Sequence, residues 1–156
     1  MKKNTLIILD LDHTLIYGSY AASETANFLF SHNKYLKIYE RPLARTLVNL
    51  CQEKADIIVF TTALRSYAKR ICKQLDINPI ELLSRKNCQQ VNGQYKKQVK
   101  DIWKVQYNKI IVIDDSPNVW KNSEDEHIKF IVPDEFRGDK DDFGLKGVIK
   151  SCLQLN

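Results

Sequence analysis

Three stretches of consecutive apolar, mostly β-branched residues constrain the fold of this chain most strongly. They cover residues 5–9, 57–60 and 110–113, and a weaker fourth stretch covers residues 130–132. A strand that is apolar on both faces is typical of a parallel sheet with helices packed on each side. The three strong stretches therefore predict the central strands of such a sheet.

Helical periodicity fills the regions between and after these stretches. Apolar residues recur at three- and four-residue spacings over residues 43–51, 67–75 and 145–153. This spacing predicts helices that each bury one face. The alternation predicts a doubly wound, Rossmann-like α/β fold with helices on both faces of a parallel sheet. With 5 glycines and 4 prolines among 156 residues, no flexible linker is expected, so we predict one domain over residues 1–156.

Two segments interrupt the alternation. Asn92-Gly93, flanked by the segments Gln89–Val91 and Gln94–Lys96, predicts a tight β-hairpin with a type I′ turn, inserted between the second and third central strands. The segment from residue 11 to the second central strand is interpreted mainly as a loop and one helix. Both insertions are small, so we expect an essentially capless domain.

Polar side chains follow each strong stretch directly. Asp10, Thr61 and Asp114 stand at the predicted carboxyl ends of the three strands, and Asp12 and Asp115 lie close by in sequence. In an open parallel sheet this edge forms the ligand-binding crevice. Four carboxylates in one crevice repel each other unless a cation lies among them, and carboxylate oxygens suit Mg²⁺. We therefore predict a magnesium site formed by these four acids.

Five short motifs occur in order along the chain. They are DLDHTL at residues 10–15, Arg41-Pro42, FTTA at residues 60–63 with Tyr67-Ala68, NGQY at residues 92–95 with Lys100-Asp101-Ile102, and DDSP at residues 114–117. The first resembles the DxDxT signature of the haloacid dehalogenase superfamily. Together they resemble the small phosphatases, of the NLI-interacting-factor-like family, that act on the C-terminal tail of RNA polymerase II.

The resemblance implies roles for the residues that follow the first and second predicted strands. Asp10 would be the nucleophile that accepts the phosphoryl group as an aspartyl-phosphate. Asp12 would protonate the leaving oxygen and then act as base on the hydrolytic water. Thr61 would hydrogen-bond a phosphate oxygen, and Leu11 and Thr62 would complete the substrate-binding loop.

The resemblance also implies how the metal is held. Asp10, the backbone carbonyl of Asp12, and Asp115 would bind Mg²⁺. Asp114 would either bind the metal through water or orient a lysine.

That lysine would neutralise the charge that develops on the phosphoryl oxygens. Lys100 is selected because it precedes Asp101-Ile102, as the family's lysine precedes its DL. Its spacing to Asp114 is shorter than the family pattern leads us to expect, so Lys97 remains the alternative.

Three hypotheses about function stay open. An uncapped site favours a phosphate displayed on a macromolecule, so the first is a phosphatase acting on phosphoserine or phosphothreonine of a protein. The second is a nucleic-acid end phosphatase, because 24 Lys and Arg against 19 Asp and Glu give a net charge of +5. The third is a catalytically weak binding or scaffold member of the fold, against which the complete set of acids argues.

Composition also bears on location. The four cysteines form no CxxC pair, and Cys51, Cys72 and Cys152 fall on apolar helical faces, as reduced core thiols do. Asp10 and Asp12 interrupt the first apolar stretch, so we expect no signal peptide. No stretch approaches the roughly 20 apolar residues of a membrane span. We therefore expect a cytoplasmic protein without membrane partners.

Overall fold

A computed structural model describes residues 2–22 and 27–155 of the chain. The described residues form ten strands and four α-helices. In chain order these are β1 (Thr5–Leu9), β2 (Ile16–Ser19), β3 (Asn27–Ser31), β4 (Lys37–Glu40), α1 (Ala44–Lys54), β5 (Asp56–Phe60), α2 (Arg65–Gln74), β6 (Glu81–Leu83), β7 (Gln89–Val91), β8 (Gln94–Lys96), α3 (Asp101–Gln106), β9 (Lys109–Ile113), β10 (Ile128–Ile131) and α4 (Leu145–Leu153).

Five of these strands form a parallel sheet in the order β10-β9-β1-β5-β6. From β1 the chain moves outward through β5 to β6, and then returns to the other side of β1 to add β9 and β10. The strand order therefore reverses at β1, and the crevice of an open α/β sheet lies at such a switch point. The predicted α/β fold and its parallel sheet are confirmed.

Alternate residues of the central strands pack into two separate cores. Ile7, Val59 and Ile113 belong to a core shared with α1, α2 and α4. Ile8 and Phe60 belong to the opposite core, which α3 and the segment around residue 120 cover. Because side chains alternate between the faces of a strand, burial of both faces explains why these strands are apolar throughout. Helices cover both faces as predicted, three on one side and one on the other.

The segment between β1 and α1 differs from the expected loop. The strands β2, β4 and β3, in that order, form an antiparallel three-stranded sheet. These strands have four or five residues and are partly exposed, and β3 buries only Phe30. Short strands of this kind lack the continuous apolar run that reveals a central strand. The interpretation of this segment as a loop was therefore wrong.

The second insertion is the predicted hairpin. Strands β7 and β8 pair in antiparallel register around Asn92 and Gly93. Both turn residues have positive φ, 51° and 77°, as a type I′ turn requires. The prediction from the Asn-Gly pair is confirmed.

The cysteines agree with the expectation of reduced core thiols. All four thiols are free, and Cys51, Cys72 and Cys152 are buried. Within residues 2–22 and 27–155, every helix is too short or too polar to cross a bilayer.

Arg41 links the loop after β1 to the C-terminal part of the chain. Its side chain is fully buried. Nε and Nη2 donate to the two carboxylate oxygens of Asp142 at 2.7 and 3.3 Å. Nη1 donates to the Thr14 carbonyl at 3.1 Å, and Nη2 also donates to the Asp134 carbonyl at 2.8 Å. A Cβ atom at position 144 would collide with Arg41 Nη2, so glycine at this position leaves room for the guanidinium.

We predict that Arg41→Gln lowers the free energy of unfolding by about 3–5 kcal/mol, because it leaves the Asp142 carboxylate and two carbonyls without their buried partner. Arg45→Gln is the matched control, since Arg45 is partly exposed in its ion pairs with Glu40 and Asp76. Its loss should cost about 1 kcal/mol or less. Urea denaturation of both variants measures the difference, and equal losses would contradict the role assigned to Arg41.

Candidate active site

The three predicted strand ends meet at one small cleft. Its volume is about 120 Å³, and Asp10, Asp12, Thr61, Lys97, Asp114 and Asp115 are among its lining residues. Asp10 follows β1, Thr61 follows β5 and Asp114 follows β9. The parallel register of these neighbouring strands brings the residues together, as the sequence predicted.

A buried lysine lies between two of the carboxylates. The Lys97 ammonium donates to Asp10 Oδ1 at 2.9 Å and to Asp114 Oδ2 at 2.8 Å. Only 1% of Lys97 is exposed. Burial alone would lower the pKa of Lys97, but the attraction of Asp10 and Asp114 outweighs it and the pKa is raised. Lys97 therefore stays cationic at the floor of the cleft.

Lys100, selected from the sequence as the phosphate-neutralising lysine, lies elsewhere. Its ammonium pairs with Glu81 at 2.8 Å, and 47% of its side chain is exposed. Lys97 follows the hairpin directly, and its backbone is held by hydrogen bonds to Val119 and Lys121 that direct this stretch along the cleft. Lys100 instead precedes α3. The structure therefore places the alternative, Lys97, in the cleft and Lys100 outside it, which corrects the position expected for Lys100.

Thr14 joins the two acidic motifs. Its hydroxyl lies 2.9 Å from Asp10 Oδ2 and 3.1 Å from Asp115 Oδ1, and it accepts the Asp115 backbone N–H at 3.1 Å. A hydroxyl has one proton, so it donates to one carboxylate at a time. The sequence assigned no role to this residue beyond its place in the motif.

Asp114 is held by groups besides the lysine. Trp120 Nε1 donates to Asp114 Oδ2 at 2.9 Å, and the Ser116 backbone N–H donates to Oδ1 at 2.9 Å. Both carboxylate oxygens of Asp114 thus have partners within the protein. The Trp120 ring is part of the core that α3 covers, and its indole N–H also fixes this acid.

Three of the predicted metal ligands cluster. Asp10, Asp114 and Asp115 each have a carboxylate oxygen within 4.8 Å of the others. Burial raises the pKa of Asp10 and of Asp114, because the charged form loses hydration. Lys97 compensates only part of the negative charge. The residues therefore fit a hard divalent cation, and the carboxylate of Asp12 lies outside this cluster.

The Asp12 carboxylate instead has a tyrosine partner. Tyr67, on α2, donates its hydroxyl to Asp12 Oδ1 at 2.7 Å. Burial raises the pKa of Asp12 more than this hydrogen bond lowers it. The Tyr67 ring contacts His32 edge-on, with 5.1 Å between ring centroids, so the turn between β3 and β4 supports it. The periodicity of α2 placed Tyr67 on its buried face but did not predict the contact of its hydroxyl.

The remaining predicted residues occupy different environments. Thr61 is buried, and its Oγ1 accepts the Ala63 backbone N–H at 3.0 Å. Thr62 lines the cleft, and its carbonyl accepts a hydrogen bond from Arg85 Nε at 2.9 Å. The Leu11 side chain is part of the core, so only its backbone can contact a substrate.

Comparison with known proteins gives one family. Residues 5–155 match the family described as NLI interacting factor-like phosphatase. A probable C-terminal domain small phosphatase of Dictyostelium discoideum is 27% identical over 146 residues, covering 87% of this chain and 45% of the relative. Phosphatase PSR1 of Saccharomyces cerevisiae is 28% identical over 125 residues, covering 74% of this chain and 29% of the relative. The chain thus spans less than half the length of these relatives.

The solved structures agree in fold. The structure of Fcp1, an essential RNA polymerase II CTD phosphatase, superposes with a TM-score of 0.60 at 20% sequence identity. The match covers 97% of this chain and 48% of that one. At this identity the likeness supports the parallel α/β architecture.

We predict that Lys97→Met lowers the free energy of unfolding, measured in EDTA, by about 3–5 kcal/mol. The substitution leaves Asp10 and Asp114 buried without the cation between them. Lys100→Met is the control, because its ion pair with Glu81 is exposed and should contribute about 1 kcal/mol or less. Chemical denaturation of the two variants checks this, and similar stabilities would show that Lys97 is not the main compensating charge.

Proposed function

Because the chain belongs to the NLI interacting factor-like phosphatase family, we propose that it hydrolyses phosphoric monoesters through an aspartyl-phosphate at Asp10. The placement of the Asp10 carboxylate is the observation that supports this proposal most directly. It stands at a strand end over a small cleft, with Lys97 on one oxygen and Thr14 near the other. These contacts fix the direction of the carboxylate before any substrate binds, which favours attack along one line.

The reaction divides into two displacements. In the first, a carboxylate oxygen of Asp10 forms a bond to phosphorus, the bond to the leaving oxygen breaks, and Asp12 gives that oxygen its proton. In the second, Asp12 takes a proton from water, the water oxygen bonds to phosphorus, and the bond to Asp10 breaks. The raised pKa of Asp12 suits the first step, because it favours the protonated carboxyl.

Charge on the phosphoryl oxygens is stabilised by groups around the cleft. Lys97 and Thr61, which line the cleft, would serve this role, and the backbone N–H groups of Leu11 and Thr62 would complete the set. Mg²⁺, when bound, would offset the negative charge of the carboxylates and of the incoming phosphate.

The metal would be held by Asp10, the backbone carbonyl of Asp12, and Asp115. Of the two roles expected for Asp114, orienting the lysine is the one that the structure favours, because Asp114 Oδ2 accepts a hydrogen bond from Lys97 at 2.8 Å.

The proposed substrate is phosphoserine or phosphothreonine in a protein. A cleft of about 120 Å³ suits a phosphate group and leaves the rest of the substrate outside. One relative carries the name of a C-terminal domain small phosphatase, and another, from Encephalitozoon cuniculi, is named as a C-terminal domain phosphatase of RNA polymerase II. None of these names favours the alternative of nucleic-acid ends.

We predict that Asp10→Asn lowers kcat for p-nitrophenyl phosphate by about 10⁴-fold or more without changing the melting temperature markedly. Asp101→Asn, which removes an exposed carboxylate, is the control and should retain wild-type activity.

EDTA should abolish wild-type turnover, and Mg²⁺ should restore it. Beryllofluoride should inhibit by bonding to the Asp10 carboxylate. Substantial turnover by Asp10→Asn, or full activity after complete metal removal, would overturn the covalent, metal-assisted route.

We predict that Asp12→Asn slows hydrolysis of an alkyl phosphate about 10²–10⁴-fold, and that of an aryl phosphate less, because a phenolate leaves with little help from an acid. Tyr67→Phe removes the hydrogen bond that orients Asp12 but keeps the ring, so it should show the same alkyl-to-aryl bias in weaker form. Steady-state kinetics with phosphoserine and p-nitrophenyl phosphate measures the bias. Equal losses for the two substrates would contradict the general-acid role of Asp12.

A further inference from the structure

A second, larger groove lies between α2 and the edge strand β6. Its volume is about 780 Å³, and its cationic lining residues are Arg65, Lys69, Lys73 and Lys86. The first three recur every four residues along α2 and therefore share one helical face. At 1.5 Å per residue they span about 12 Å. This cationic groove has no part in the reaction described above.

The charges of the cationic groove are not neutralised locally. Among residues 2–22 and 27–155, none of its four cations forms an ion pair. The acid that lines it, Glu81, is already paired with Lys100 at 2.8 Å. Arg65 donates to the Leu82 carbonyl at 2.6 Å, which places its guanidinium against the edge strand and leaves its charge uncompensated. Like charges four residues apart destabilise a helix, so this face does not serve the stability of α2.

The rest of the groove surface indicates what kind of acidic molecule fits. Its apolar lining includes the exposed Ile80 and the partly exposed Leu82, whereas Cys72, Ile77 and Leu83 are almost fully buried. Of the residues described in the structure, none that lines the groove is aromatic. Proteins that bind single-stranded nucleic acid stack the bases on aromatic side chains. A cationic wall beside apolar residues therefore favours a polypeptide with acidic and apolar side chains.

The cationic groove adjoins the catalytic cleft along the chain. Arg65 is three residues after Thr62, which lines the cleft. On the other side, Lys86 follows Arg85, whose Nε donates to the Thr62 carbonyl at 2.9 Å. Both walls of the groove therefore begin next to the Thr62 side of the cleft.

We propose that the cationic groove binds an acidic stretch of the polypeptide substrate while the reacting phosphate occupies the cleft; the inference rests on the function proposed above. An extended peptide rises about 3.3 Å per residue, so the 12 Å of α2 corresponds to about four substrate residues. The groove would accordingly select phosphorylated sites that have several acidic residues, or further phosphates, on one side.

Kinetics with three phosphoserine peptides tests this selection. One peptide has four glutamates before the phosphoserine, one has four after it, and the third has glutamines at all these positions. We expect one of the two acidic peptides to have a higher kcat/KM than the other two peptides. The double substitution Lys69→Gln/Lys73→Gln should lower kcat/KM for that acidic peptide about fivefold. Lys129→Gln/Lys150→Gln removes two exposed charges elsewhere and should leave the preference intact. The preference should fade in 0.5 M NaCl.

Binding to the Asp10→Asn variant separates the groove from catalysis. A fluorescein-labelled acidic peptide without phosphate should bind, by fluorescence anisotropy, about fivefold more weakly when Lys69 and Lys73 are also replaced by glutamine. Oligouridylate of matched length is the nucleic-acid probe. Tighter, groove-dependent binding of oligouridylate would overturn the assignment to a polypeptide.

The outcomes distinguish the two proposals. If the wild type hydrolyses p-nitrophenyl phosphate but shows no acidic preference, or keeps that preference in Lys69→Gln/Lys73→Gln, the groove proposal fails and the phosphatase proposal stands. If the wild type hydrolyses no phosphomonoester, the phosphatase proposal fails. In that case the anisotropy measurement alone decides whether the groove binds acidic polypeptide.

Discussion

The burial of negative charge at one edge of the sheet is the constraint on which the site depends. Asp10 and Asp114 follow neighbouring parallel strands, and both are almost completely buried. Two such carboxylates repel each other and lose hydration, so the fold requires a cation between them. The Lys97 ammonium meets this requirement with hydrogen bonds of 2.9 and 2.8 Å. The same charge lies at the floor of the cleft proposed for the phosphate, so one interaction serves both folding and the proposed chemistry.

The parts outside the sheet position this charged centre. Thr14 joins the loop after β1 to Asp115, and Arg41 holds the carbonyl of Thr14 from the other side. Tyr67 fixes the Asp12 carboxylate, and its ring contacts His32 in the turn between β3 and β4. Each contact restricts a group that the proposed mechanism uses, which lowers the reorganisation needed when substrate binds. The segment between β1 and α1 thus contributes contacts that hold groups of the cleft in place.

The sequence predicted the parts of the fold that have strong local signals. Strands buried on both faces must be apolar throughout, so β1, β5 and β9 and the polar residues after them were identified correctly. The Asn-Gly turn was equally clear. The three-stranded sheet was missed because its strands are short and partly exposed, and because β2 pairs with β4 rather than with β3, the next strand along the chain.

The sequence predicted which residues belong to the candidate site better than it predicted the contacts of their side chains. Motif order selected the acids, but it could not decide which of two nearby lysines enters the cleft, because that depends on how the chain leaves β8. The hydrogen bonds of Tyr67 and Trp120 could not be predicted either. A residue on a buried helical or loop face gives no sequence signal of the partner that its polar atom contacts.

The stereochemical course at phosphorus tests the central claim, a covalent intermediate at Asp10, most directly. A phosphomonoester made chiral with oxygen isotopes is hydrolysed with a suitable acceptor alcohol present, and the configuration of the phosphorus in the transfer product is determined by NMR. Each in-line displacement inverts phosphorus, so two displacements through Asp10 predict overall retention. Overall inversion would show a single direct displacement and would contradict the covalent mechanism.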